Sequence, residues 1–97
     1  MATYIILASF TEQGIHNVKD TIKRADAFKD LAKKSGATVK DIYWTLGSCD
    51  IVAIVESPDD IAITALGLSL GSKGNVRTQT LRAFSAADMA TILGKVV

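Results

Sequence analysis

The chain lacks the staples that small proteins often rely on. It has one cysteine, Cys49, so no disulfide can form within it. It has one histidine, His16, so a single copy offers no cysteine–histidine cluster for zinc, and neither a metal nor another cofactor is expected. Excess charge of one sign is also missing: 11 basic and 10 acidic residues leave a net +1. That balance argues against a nucleic-acid binder, whose affinity rests mainly on neutralising phosphates. No run approaches the roughly 18 uncharged apolar residues of a membrane-spanning helix, so no membrane partner is expected. The start, Met1–Leu7, lacks the basic stretch of a secretory leader, which points to the cytoplasm. A lone thiol suits that reducing compartment.

Apolar surface, by contrast, is plentiful. Of the 97 residues 48% are hydrophobic, and the mean hydropathy is +0.27. A domain of this size buries only ~60–70% of the surface its unfolded chain exposes. The expected remedy is association with further copies, as a homodimer or a larger homo-oligomer.

Periodicity divides the chain into seven elements. Thr3 to Phe10 is a β-rich run with Ile5 and Leu7 on one face and Tyr4, Ile6 and Phe10 on the other. A strand apolar on both faces must be covered on both. Ile15, Val18, Ile22, Ala25, Phe28 and Ala32 then step by three or four residues as a helical stripe. Asp20 or Thr21 is placed to cap a main helix from about residue 22, after a short first turn, and Gly36 stops it. Ala37–Leu46 alternates, with Ile42, Trp44 and Leu46 predicted on one face and Val39, Asp41, Tyr43 and Thr45 on the other. Gly47-Ser48-Cys49-Asp50 reads as a turn into a second strand, Ile51–Val55. Ser57 reads as a cap, with Pro58 opening a helix over Ile61–Leu70 that is apolar nearly all round and so buried on more than one side. Val76–Phe84 suits an edge strand, and Ser85 with Asp88 opens a last helix whose stripe, Met89, Ile92, Leu93 and Val96, is expected to dock.

The order β-α-β-β-α-β followed by a helix is that of an α+β, ferredoxin-like domain spanning residues 1–97. Its helices cover one sheet face. The other face is apolar enough to require a second sheet against it, giving a dimeric α/β barrel.

Several segments are similar to those of the GYD-domain family: Thr11-Glu12-Gln13-Gly14-Ile15, Tyr43-Trp44-Thr45-Leu46-Gly47, Pro58-Asp59-Asp60, and Gly74-Asn75-Val76-Arg77-Thr78. The resemblance runs over nearly the whole chain. It departs at the signature itself, where Ser48-Cys49 stands between Gly47 and Asp50 and the tyrosine is absent. It implies a bacterial-type small protein with a dimeric α/β-barrel-like fold. It carries over no catalytic residue, because the family's biochemical role is not established.

Five residues are candidates for ligand contact: His16, Arg24, Tyr43, Asp50 and Arg77. His16 faces Asp20 if the helix is continuous there, and a carboxylate-held imidazole can act as a base or a metal ligand; a surface histidine beside an acid is the plainer reading. Tyr43 is set to line a sheet–sheet interface or a cavity. Asp50 either accepts turn N–H groups or stands at a pocket mouth. Arg24, Arg77, Arg82 and Lys23 can grip an anion, or else form ordinary ion pairs, with Asp26 or Asp41 for example. Cys49 has no local cation to lower its pKa and reads as a small, partly buried thiol.

No catalytic motif or phosphate loop is present. The leading expectation is therefore a non-enzymatic homo-oligomeric module that binds a small organic ligand or a protein partner. The alternative is a small dimeric α/β-barrel enzyme, monooxygenase-like or haem-related. It would have a polar-lined cavity of a few hundred Å³ between sheet and helices, served by His16, Arg24, Tyr43 and Asp50. RNA binding ranks last, for want of an aromatic pair on the central strands.

Overall fold

The computed structural model describes all 97 residues, Met1–Val97. Four strands, β1 (Ala2–Phe10), β2 (Thr38–Trp44), β3 (Ile51–Ser57) and β4 (Val76–Ala83), form one sheet in the order β2-β3-β1-β4. Every neighbouring pair is antiparallel. Helices α1 (Glu12–His16) and α2 (Thr21–Lys34) follow β1, α3 (Asp60–Ser72) follows β3, and α4 (Ala86–Leu93) follows β4. The architecture is α+β and ferredoxin-like.

The central strand β1 is apolar on both faces for the reason its sequence suggests. Tyr4, Ile6 and Ala8 are buried beneath the helices with Ala53 and Val55 of β3, Phe28 and Ala32 of α2, and Ile63 and Leu66 of α3. Ile5 and Leu7 point the other way, paired with Ile54 and Val52. No helix of the chain closes over that second face, and these four residues remain only half-buried. The polar strand β4 takes one edge, as its composition predicts, and β2 takes the other.

Five local expectations are corrected. The register of β2 shifts between Val39 and Asp41, so Val39 joins Ile42 on the core side instead of sharing Tyr43's face. The strand ends at Trp44; Leu46 lies beyond it, fully exposed. Trp44 is 43% exposed rather than core, and its indole N–H donates to Thr21 Oγ1 at 3.0 Å. Asp59, not Ser57, caps α3, its Oδ1 accepting from Ala62 N at 2.8 Å. Ser57 is unavailable because it is the last residue of β3, paired with Ala2 and wholly buried. Finally, α3 buries only one side. Ile63 and Leu66 face the core, whereas Ile61 is 81% and Leu68 71% exposed, because this chain has no further layer outside the helix.

Helix α4 is the other departure. Its capping box forms, with Ser85 Oγ accepting from Asp88 N at 3.0 Å and Asp88 Oδ2 accepting from Ser85 N at 3.1 Å. Its apolar stripe, however, finds no seat on the same chain: Ile92 is half-buried and Met89, Leu93 and Val96 are exposed. The molecule measures 50 × 30 × 18 Å.

Candidate functional site

Chemistry-bearing residues from four parts of the chain meet at the Phe10 end of the sheet. Thr11 follows β1 and caps α1, its Oγ1 accepting from Gly14 N at 3.1 Å. The same Oγ1 donates to Gly74 O at 2.5 Å, and Thr11 N donates to Asn75 O at 3.1 Å. Gln13 Nε2 donates to Lys73 O at 3.1 Å and to Asn75 Oδ1 at 3.0 Å. The short helix is thereby latched to the loop that precedes β4. The latch needs glycine at position 14, because a Cβ there would stand 1.9 Å from Asn75 O. It also uses Gly74 at φ +83°, in the left-handed region that glycine enters freely.

Arg24 reaches this latch from α2. Its Nη2 donates to Gly14 O and its Nη1 to Asn17 O, each at 3.1 Å, and its guanidinium carbon lies 6.0 Å from the centre of the Phe10 ring. Asp50 reaches it from the β2–β3 loop. Asp50 Oδ2 accepts from Phe10 N at 2.8 Å, while Asp50 N donates to Ala8 O at 2.8 Å. Asp50 thus extends the β1–β3 ladder by one side-chain bond, and the N–H it accepts from is on β1, not in its own turn. Gly47 does supply a positive φ, at +107°.

Behind Arg24, between the sheet and α2, lies a cavity of about 130 Å³. Hydrophobic residues make up 12 of its 16 lining residues, with Phe10, Phe28, Ile42, Ala53 and Leu70 among them. The polar members, Thr21, Arg24, Lys73 and Asn75, are half-buried or exposed. The cavity is smaller and more apolar than the enzyme alternative calls for. Of the four side chains proposed for such a pocket, Arg24 alone lines it.

The remaining candidates lie elsewhere. The chain bends at Asn17, so α1 and the following 3-10 turn (Val18–Asp20) are separate, and the continuous helix that would align His16 with Asp20 does not form. His16 is exposed on α1 beside an open surface depression. Tyr43 stands on the uncovered sheet face, opposite Val52 and 56% exposed. Arg77 is on that face too, opposite Ser9. Arg82 faces the helix side and lies 5.5 Å over Tyr4 and 4.6 Å over Phe84. None of these arginines is ion-paired; the chain's one salt bridge joins Lys40 and Glu56 at 3.8 Å. Cys49 is half-buried, with its Sγ 3.6 Å from Thr45 Oγ1. At the opposite end of β1, Tyr4 Oη donates to Asp60 Oδ1. That hydrogen bond, with burial and the Asp60 charge, pushes the phenol above its ordinary pKa, the reverse of an activated phenolate.

Reading residues one at a time missed Phe10, Thr11, Gln13, Gly14, Lys73 and Asn75. The available signal was that two of the family-like segments, Thr11–Ile15 and Gly74–Thr78, contain most of them. Their convergence is the structural content of that likeness. The sequence pattern of the GYD domain matches residues 4–93. The chain belongs to the GYD-domain family. It is also 33% identical over 90 residues to the glutamine synthetase and cystathionine beta-lyase binding protein of Thermus thermophilus, covering 92% of this chain and 95% of that relative. In this GYD domain the signature turn keeps its aspartate, and Asp50 earns its place by holding Phe10 at the edge of the cavity.

Proposed function

We propose that this GYD-domain protein is a homo-oligomeric binding module: a second copy closes the uncovered sheet face, and the assembly docks a protein partner. The observation that carries the first half is the apolar centre of that face. Ile5, Leu7, Val52 and Ile54 form two directly opposed pairs with no element above them. Covering what remains exposed of each is worth on the order of 1 kcal/mol, and two such sheets stacked face to face would bury one another's apolar centres. The partner reading is supported by the Thermus relative, which is named for binding glutamine synthetase and cystathionine beta-lyase. The exposed outer face of α3 and the stripe of α4 offer surfaces for such contact.

Sedimentation equilibrium tests the first half. The wild type is expected to be a dimer or larger, and Ile54→Asp, whose carboxylate would be buried unpaired against Ile5, a folded monomer by circular dichroism. Tyr43→Glu, at the rim of the same face, weakens association without threatening the core. A wild type that remains monomeric refutes the proposal. The second half is tested by surface plasmon resonance against purified glutamine synthetase and cystathionine beta-lyase from the source organism. Saturable binding of either supports the docking role, and binding of neither removes it.

A further inference from the structure

We infer that the cavity between the sheet and α2 is a binding site for a small carboxylate with a compact apolar body, about the size of a benzene ring. Three observations carry this, and none depends on the oligomer.

The first is size and lining. A dry cavity of about 150 Å³ accepts benzene in another protein; this one measures about 130 Å³ and is walled by Phe10, Phe28, Ile42, Ala53 and Leu70. The second is charge. Arg24 and Lys73 both line the cavity, no lining residue is acidic, and neither cation is within ion-pair distance of a carboxylate. The nearby acid, Asp50, already accepts a hydrogen bond from Phe10 N through Oδ2. The third is unspent donors. Arg24 uses two of its five N–H groups, on Gly14 O and Asn17 O, and Asn75 uses its side-chain oxygen toward Gln13 while its amide N–H₂ has no partner. A carboxylate beside Arg24, Lys73 and Asn75 would meet donors from α2 and from the loop before β4, with its apolar body against the hydrophobic lining. A neutral ligand would leave those donors idle, and an ammonium would be repelled.

The probes are sodium benzoate, toluene and benzylammonium, titrated into the intact protein with amide and methyl NMR shifts as the readout. Benzoate is expected to bind saturably, shifting the Ala53 methyl and the Phe28 ring, with toluene weaker and benzylammonium not bound. Lys73 makes no structural side-chain bond, so Lys73→Met should weaken benzoate about fivefold and leave toluene unchanged, as expected for one partly exposed charge contact. Ala53→Leu should fill the cavity and abolish both. Sedimentation of the same samples separates a lost cavity from a lost oligomer. The inference is overturned if benzoate gives no saturable shift up to ~10 mM, if toluene binds as tightly as benzoate, or if Lys73→Met leaves the benzoate affinity unchanged.

Discussion

Two glycines show how much a single Cβ can decide. At Gly14 it would collide with Asn75 O, the same carbonyl that accepts from Thr11 N, so the loop cannot retreat without breaking the latch. Gly14→Ala is expected to cost about 1–3 kcal/mol. At Gly71, in the last turn of α3, the Cβ meets nothing within 4 Å. There the same substitution should raise stability by about 0.5–1 kcal/mol, because alanine loses less backbone freedom in a helix. Urea denaturation of both variants checks the opposite signs. Tyr4 supplies a second residue-level test. Its phenol is held above the ordinary range by the hydrogen bond to Asp60, with burial and the Asp60 charge adding to it. A raised folded-state pKa means that this bond's contribution is fully present below the unfolded value of about 10 and disappears as pH climbs through the folded value. In a Tyr43→Phe background, absorbance titration should find Tyr4 ionising late, and Asp60→Asn should bring it back toward the ordinary range.

At the scale of elements, what sequence reveals depends on whether the cause is local. The two-period pattern of β1, the break near Asp20 before the main helix and the capping box of α4 are all present as read, since each is set by residues a few positions apart. The bulge at Val39 is not local: it is fixed by which residues of β3 lie opposite, and a one-residue shift moves Val39 across the sheet. The cap of α3 moved to Asp59 for a similar reason, because pairing with Ala2 holds Ser57 in the strand. The latch and cavity were legible only as family-like segments, since positions 14 and 75 meet through tertiary structure alone. The capping box of α4 yields a prediction at this scale. Ser85→Ala should cost about 1 kcal/mol of helix stability. Because α4 stands off the core, the loss should appear as faster hydrogen exchange within Ala86–Leu93 and not across the sheet. Asp88 is held below the usual carboxylate range by its bonds to Ser85, the backbone N–H first. Its contribution is therefore present above the unfolded value and lost as pH falls through the lower folded one. Protection of the α4 amides relative to their intrinsic exchange at each pH should fall only in acid, and in Ser85→Ala that acid dependence should shrink.

The whole molecule is larger than its length warrants. A compact chain of this length has a radius of gyration of about 12.5 Å, whereas this one has 14.5 Å. The excess accompanies a helix layer on one side only and a C-terminal helix that finds no seat on its own chain. Such a shape leaves apolar area uncovered in three places: the sheet face with Leu7 and Ile54, the stripe with Met89 and Leu93, and the outer side of α3 with Ile61 and Leu68. The first would be covered if, as proposed, stability were shared between copies. Stability held in an interface follows mass action, unlike stability held in a core. For a dimer that unfolds as it dissociates, each tenfold rise in protein concentration adds about 1.4 kcal/mol per dimer, or a Tm rise of about 3 °C for protomers of this size. Scanning calorimetry over a hundredfold concentration range should show that slope in the wild type. Ile54→Asp should melt earlier and with no slope, because each copy would then carry its own stability alone.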